Sequence, residues 1–438
     1  MSIVNPFYHR GAIRQAANFH GRQHETEQIL GLLRNGQSVS LIGPRRIGKS
    51  SLLIHLCRPE VRLQWGLDPA KTWLILIDCQ ELGGSPSEEV YEILLNGLHH
   101  AATEAGVTLE ALNGSPSTYR DLDRALYQIS QNHTTVVFLL DEFELLAANE
   151  HLTPYFFARL RGLTTKYGLA YLTASQRPLF AITAEEEILS SPFFNIFVTL
   201  PLGLYSDEEA RTLFLSRLAA TGVSFSQGLS AHLRFLVGPH PFFLHVAGYH
   251  AYQALSQDIS LETAADFSQL DDAIEVEADS HLGYLWQNLT AEEQYVLAIA
   301  DGSIDTLRLL EQQCLLINLD GKYTYANEIL RRYVRRQEVR GLIQAGPFVI
   351  DQQRHQVWAG GQEMNLTTSQ FNILMRLCQQ PGQVVHGDDL ETAVWGDVLV
   401  DDPDRLKTLI KRLRRAIAPY DNWIISERGV GYALRPPD

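Results

Sequence analysis

Residues 37–51 read QSVSLIGPRRIGKSS, a short β-rich run followed by G-x-x-x-x-G-K-S and then by the apolar, helix-compatible SLLIHL. Strand, Gly-rich loop and helix in that order form a phosphate cradle. Gly43 and Gly48 let the backbone turn so that its N–H groups face an anion at the positive end of the helix. In that geometry Lys49 reaches the β and γ phosphates of a nucleotide, Ser50 ligates Mg²⁺, and Ser51 follows on the first turn. The loop predicts a parallel α/β sheet around it.

Downstream, TTVVFLLDEFELL supplies what such a loop needs next. Its apolar run reads as a fully buried parallel strand ending in Asp141 and Glu142. Asp141 is placed to hold the metal through its water shell, and Glu142 to orient or activate the attacking water. The catalytic set read from the sequence is therefore Lys49, Asp141 and Glu142, with Ser50 and Asp141 on the metal. Three more strand candidates, TWLILIDCQ at 72–80, LAYLTAS at 169–175 and NIFVTLPL at 195–202, complete the sheet. Thr173 and Ser175 stand where a γ-phosphate sensor would, and Arg159, Arg161 and Arg177 are candidate charge-stabilising arginines. No N-K-x-D guanine signature is present, which favours ATP/ADP over guanine nucleotides.

The chain has 438 residues, which predicts about three domains. A composition of 45% hydrophobic and 20% charged residues is that of a soluble globular protein. No apolar run is long enough to span a bilayer and the start lacks an apolar signal segment, so the expectation is a cytoplasmic protein with no membrane partner. Cys57, Cys79, Cys314 and Cys378 stand singly, without zinc or disulfide spacing. A formal net charge of −15 argues against indiscriminate coating of nucleic acid. One local basic patch survives that argument, in which Arg405, Lys407, Lys411, Arg412, Arg414 and Arg415 occur with no acid among them. An acidic stretch with Asp388, Asp389, Glu391, Asp397, Asp401, Asp402 and Asp404 precedes it.

Together the motifs of residues 5–340 resemble the STAND class of signal-transducing P-loop ATPases, within the AAA-like group. Phe19, Gly21, Arg22 and Glu25 match its F-x-G-R-x-x-E segment, which the resemblance places beside the adenine. GPHPFFLHVAG is similar to the family's Gly/Pro motif, which implies that Pro241 approaches the nucleotide from a helical lid. The lid is independently legible. Ser206 with Glu209 and Thr290 with Glu293 form capping boxes, each opening a helix with an apolar stripe. Residues 285–340 have the helices and small hairpin of a winged helix, which the resemblance assigns to clamping nucleotide rather than reading DNA. No repeat of twenty to fifty residues is present, whereas STAND proteins usually carry repeat arrays as sensors.

From Gly346 the pattern changes to short strands, a helix opened by the capping box Thr367 to Gln370, two further helices, and the hairpin NWIISERGVGYALR. L-T-x-x-Q-F-x-x-L, V-W-G and R-G-V-G-Y closely resemble the OmpR/PhoB-type winged-helix DNA-binding domain. Asp402 and Pro403 read as N-cap and first turn of its third helix. Leu406, Leu409, Ile410 and Leu413 read as that helix's buried stripe. The resemblance sends this helix into the major groove of double-stranded DNA. It implies Thr408 and Arg412 at base edges, Lys407, Lys411, Arg414 and Arg415 at phosphates, and Arg428 on the wing at the minor groove. The acidic stretch falls where that family contacts RNA polymerase, and equally reads as a solvated loop.

The expected architecture is thus multidomain α/β plus α+β. It has an N-terminal arm at 1–20, a P-loop NTPase parallel sheet at 21–204, a helical lid at 205–280, a winged helix at 281–342, and an OmpR-type winged helix at 345–438. The expected function is an ATP-binding and ATP-hydrolysing switch that controls sequence-specific DNA binding through exposure or pairing of DNA-binding domains, a nucleotide-dependent homo-oligomer. The alternative is a DNA-localised ATPase effector or assembly factor of a defence or mobile-element system.

Overall fold

Runs such as Val136–Leu140 form strands buried on both faces, because parallel β-α-β crossovers lay helices on each side of the sheet. The computed structural model describes residues 5–7, 11–109, 117–182, 192–352, 354–396 and 404–436. Asp397, Asp401, Asp402 and Pro403 of the sequence reading lie outside them. The described chain divides into two compact units, one holding 1–234 and 238–270, the other 235–237 and 271–438.

In the first unit, α1 (Gln23–Arg34) leads into β1 (Ser38–Ile42) and α2 (Lys49–Leu56). After α3 (Pro59–Gln64) come β2 (Thr72–Asp78), α4 (Ser87–Glu104), α5 (Tyr119–Gln131), β3 (Thr135–Asp141) and α6 (Phe143–Ala147). α7 (Pro154–Tyr167), β4 (Ala170–Ser175) and β5 (Phe197–Pro201) complete the domain. The five strands pair in parallel in the order β2-β3-β4-β1-β5. All five candidate strands are present, and β4 lies between the loop-bearing β1 and the acidic β3. Parallel pairing puts every strand's C-terminal end on one edge of the sheet, where α/β folds gather their binding loops. A core built on Phe138, Phe143, Phe157, Tyr171 and Phe193 holds β2, β3 and β4 against α4, α5 and α7.

The lid follows as α8 (Asp207–Leu218), α9 (Gln227–Val237) and α10 (Pro241–Ser256). The Ser206–Glu209 capping box starts α8, an arrangement that stabilises a helix by about 1 kcal/mol. The N-terminal arm is built into this lid. Phe7 is buried against Phe214, Phe225 and His245, and a Cβ on Gly248 would collide with the Phe7 ring.

One continuous helix, α11 (Ala264–Gln287), spans the expected 280/281 boundary. In the second unit α12 (Ala291–Ile299), α13 (Ile304–Gln312), the hairpin β6 (Leu316–Leu319) and β7 (Lys322–Tyr325), and α14 (Glu328–Arg335) form the first winged helix. Arg332 of α14 bridges to Asp271 (3.0 Å) and Glu275 (2.8 Å) of α11, and Arg336 to Glu275 (2.9 Å) and Asp279 (2.7 Å).

The C-terminal domain opens with an antiparallel sheet of β8 (Leu342–Ala345), β9 (Phe348–Asp351), β10 (Gln356–Ala359) and β11 (Gln362–Glu363). α15 (Thr368–Cys378), β12 (Val384–His386), α16 (Gly387–Trp395), α17 (Arg405–Ala416), β13 (Ile424–Glu427) and β14 (Gly431–Leu434) follow. Side chains alternate across β9 and β10. Phe348, Ile350, Val357 and Ala359 face the domain's own core, whereas Val349 and Trp358 pack with Ile299 and Tyr295 of α12. The central strands β9 and β10 are therefore buried on both faces. Its rim is locked by the Tyr295 hydroxyl, which donates to the Asp351 carboxylate, and by the Arg354 guanidinium, 5.1 Å over the Tyr295 ring.

Candidate functional site

The Gly-rich loop is fixed from both sides before it turns. Gly43 N–H donates to Ser175 O at the end of β4 (3.1 Å), and Leu202 N–H, just past β5, donates to Ile42 O (2.7 Å). A Cβ on Gly43 would sit 2.5 Å from Leu202 O, so a larger residue would wedge β1 from β5. Beyond the loop, Lys49 is 6% exposed, and its ammonium donates to Gly43 O (2.8 Å) and Pro44 O (3.2 Å). Burial lowers its pKa, while the charges of Glu142, Glu144 and Asp141 oppose that shift.

Across from the loop, β3 delivers Asp141 and Glu142. Burial raises the pKa of Asp141, opposed by a hydrogen bond from Ser50. Glu142 is raised by burial and then by the neighbouring Glu144 charge. Glu142 holds a left-handed backbone at φ 49°, a conformation that costs a non-glycine residue about 1–3 kcal/mol and concentrates at active sites. From that position Glu142 lines a cleft together with Lys49, Ser50, Ser51 and Gly48.

The other end of the cleft is less polar and comes from distant segments. Gly11, Ala12, Ile13 and Phe19 of the arm face Pro241, Phe242 and His245 of α10, with Arg22 and Tyr205 also lining it. The guanidinium of Arg22 is already committed to Glu25 (2.7 Å), Gly203 O (2.6 Å) and Ile47 O (3.3 Å), and it stacks over Tyr205. Its buried charge ties the Gly-rich loop to the entrance of the lid. Gly21, at φ 68°, turns beside Glu209, whose carboxylate caps α8 and also accepts from Arg22 N–H. A Cβ added at Gly21 would strike that carboxylate.

Of the expected nucleotide residues, Phe19, Arg22, Gly48, Lys49, Ser50, Ser51, Glu142 and Pro241 line this one cleft. Gly43 and Asp141 do not line it but bond to residues that do, the Gly43 carbonyl accepting from Lys49 and the Asp141 carboxylate from Ser50, and Gly21 precedes Arg22 in the turn beside Glu209. The sensor and arginine candidates are not brought to it. Thr173 is fully buried within the sheet, and the Ser175 hydroxyl donates to Arg177 O (2.8 Å). Arg159 stacks on Tyr119 and Tyr155, and Arg161 and Arg177 are exposed elsewhere. Sequence reasoning missed Arg46, whose guanidinium lies 4.3 Å over the Phe242 ring. It also missed His245, although its position one turn after Pro241 on an apolar helix was a usable signal.

In the C-terminal domain, Leu406, Ile410 and Leu413 bury one side of α17, with Leu409 packed at the margin. That leaves Lys407, Thr408, Lys411, Arg412 and Arg415 exposed on the remaining surface, with Arg428 exposed at the wing. Arg414 is half-buried. Its guanidinium donates to Ile424 O (3.2 Å from Nε) and to the Ser426 hydroxyl (3.0 Å), so it pins the wing strand to α17. Arg405 pairs with Glu391 (2.8 Å) and stacks on Trp395, which ties α17 to α16. The helix starts at Arg405 after Asp404, whose side chain makes no capping bond.

Comparison with known proteins places both halves. The family described as Novel STAND NTPase 2 matches residues 28–303, more than half of the chain, and that described as Transcriptional regulatory protein, C terminal, matches 361–434. Response regulator ArlR of Staphylococcus saprophyticus is 30% identical over 108 residues, 24% of this chain and 49% of that protein. The chain thus spans about half the length of the curated relatives it matches. Among solved structures, a Walker-type ATPase of Pyrococcus abyssi superposes with a TM-score of 0.55 at 16% identity, covering 75% of this chain and 99% of that one. The ORC2 protein of Aeropyrum pernix, solved in ADPNP–ADP complexes, gives 0.52 at 12%, covering 76% and 97%. At these identities the two structures establish the fold. Residues 361–434 form an OmpR-type winged-helix DNA-binding domain. Among the described residues no helix is long and apolar enough to cross a membrane.

Proposed function

The chain belongs to the Novel STAND NTPase 2 family, and we propose that it is an ATP-dependent transcription regulator in which the nucleotide state of the cleft governs DNA binding by the C-terminal domain. The observation that carries this reading is the presence, in one chain, of a cleft lined by Lys49, Ser50 and Glu142, with Asp141 hydrogen-bonded to Ser50, and of an exposed basic face on α17.

In the cleft, phosphates displace the Gly43 and Pro44 carbonyls from Lys49, and Glu142 orients the attacking water. The raised pKa of Glu142 suits a group that must accept a proton near neutrality. The Ser50 hydroxyl and the Asp141 carboxylate to which it is hydrogen-bonded are hard oxygen donors of the kind that would hold Mg²⁺. When bound, the ion would neutralise charge on the nucleotide's phosphates. Hydrolysis serves as a slow timer between ATP and ADP states.

On DNA, α17 occupies the major groove. Thr408 and Arg412 meet base edges, Lys407, Lys411 and Arg415 meet phosphates, and Arg428 reaches the minor groove from the wing. Nucleotide-dependent pairing of two copies places two such helices on repeated half-sites, and the exposed Asp388, Asp389 and Asp404 before α17 offer RNA polymerase a contact. The packing of β9 and β10 on α12 supports the coupling, since a shift of the first winged helix carries the DNA-binding domain with it.

Selection of genomic fragments by the purified protein with ATP, with ADP and without nucleotide tests the proposal. A small set sharing a repeated motif, enriched in one state only, is the expected result, with Lys49→Ala locked in the nucleotide-free pattern. Identical or sequence-blind binding in all three states would refute it and favour an ATPase that DNA merely localises.

A further inference from the structure

The arm segment Gly11–Phe19 contains only one short 3₁₀ turn, Ala16–Asn18, yet it supplies a wall of the nucleotide cleft. A loop of this kind holds its shape only where something else fixes it. Three side chains do so, Ser51 and His55, four residues apart on one face of α2, and Arg58, in the extended turn that leads from α2 into α3. The Ser51 hydroxyl accepts from Ile13 N–H (2.9 Å). The His55 ring stacks on Phe19 with centroids 3.8 Å apart and planes 8° from parallel. The Arg58 guanidinium donates to Arg14 O (2.8 Å) and to His55 Nδ1 (2.7 Å).

We infer that this trio, Ser51, His55 and Arg58, is the mount of the base-side wall, and that His55 is a positioning residue for the nucleobase acting through Phe19. The inference rests on the nucleotide reading of the cleft. The helix whose N-terminus receives the phosphates also carries the wall that meets the base, so both ends of the ligand are measured from a single rigid element. A neutral imidazole is required for Nδ1 to accept from Arg58, and burial followed by the Arg58 charge holds the His55 pKa down at about 4. His55 touches neither phosphate-side group, Lys49 nor Glu142, so its removal affects the base and spares the triphosphate.

The test measures binding of MgATP and of magnesium tripolyphosphate, with the ATPase KM and kcat, on the full chain carrying His55→Ala or His55→Phe. Loss of one aromatic stacking pair weakens ATP about 3- to 10-fold and raises KM to match. Tripolyphosphate affinity and kcat stay at the wild-type level. His55→Phe, which restores a stacking face, returns ATP affinity to within about twofold of wild type. Equal weakening of ATP and tripolyphosphate in His55→Ala, or no change in either, overturns the inference while leaving the nucleotide site intact. Wild-type protein that binds tripolyphosphate but does not prefer ATP overturns the nucleotide reading itself and the inference with it.

Discussion

Tyr295→Phe is the sharpest probe of the proposed coupling between nucleotide state and DNA binding, because it deletes one oxygen and leaves the ring in place. The hydroxyl donates to Asp351, a carboxylate only 3% exposed, and accepts from Arg354 Nη1 (3.1 Å). A hydrogen bond to a charged group is worth about 1.5–3 kcal/mol. Asp351 keeps the Arg354 backbone N–H (3.0 Å) and the Arg354 guanidinium at 3.8 Å, so the lower end applies. About 1.5 kcal/mol corresponds to roughly a tenfold fall in the ratio of docked to undocked DNA-binding domain. Tyr295 has its pKa pushed up to about 12, so the donor is present throughout the neutral range and the effect is independent of pH there. The assay is the affinity for a selected DNA site with ATP and with ADP. The ratio of the two affinities shrinks several-fold toward one in the variant, while its ATPase rate is unchanged. An unaltered ratio would show that the contact between α12 and the β9–β10 sheet does not transmit the signal.

Four further outcomes are expected. Glu142→Gln binds ATP but loses hydrolysis by a factor on the order of 10²–10⁴, measured as single-turnover phosphate release. Gly43→Ala, with its Cβ 2.5 Å from Leu202 O, lowers unfolding stability by about 1–3 kcal/mol in urea titration and weakens ATP binding in parallel. On DNA, Lys411→Ala reduces the slope of log affinity against log salt by about one without changing the preferred sequence, whereas Arg412→Ala relaxes preference at one base position. His55, set between Phe19 and Arg58 with Glu60 nearby, has a folded pKa lowered from 6.5 to about 4. Its stabilising effect is therefore complete above pH 6.5 and is lost as pH falls toward 4, a dependence that His55→Phe removes from the unfolding curve.

The phosphate loop, the acidic strand end and the three capping boxes were legible because each is a local pattern with a local physical cause. Gly43 to Ser50 must turn, Asp141 must end a buried strand, and Ser206, Thr290 and Thr367 must satisfy orphan N–H groups. Order within the sheet was not legible, since β4 enters between β1 and β3 only through pairing of residues far apart in sequence. Strand β8 escaped for a similar reason: Leu342–Ala345 is four residues long and becomes a strand by partnering β9. Arg22 was recognised by position, but its bonds to Gly203 and Ile47 carbonyls depend on a fold that brings three segments together. Arg414 looked like its neighbours on a basic helix, and only the nearby wing strand distinguishes it.

The covering of β9 and β10 on both faces bears on how the C-terminal portion behaves once severed from the rest. A fragment beginning after residue 340 keeps Phe348, Ile350, Val357 and Ala359 inside but lays Trp358 and Val349 bare, side by side on neighbouring strands. Contiguous exposed apolar surface of that kind invites self-association. Stickiness or dimerisation measured on such an excised piece would thus belong to the cut surface, and transplanting the domain onto another sensor would need a new cover for those two side chains.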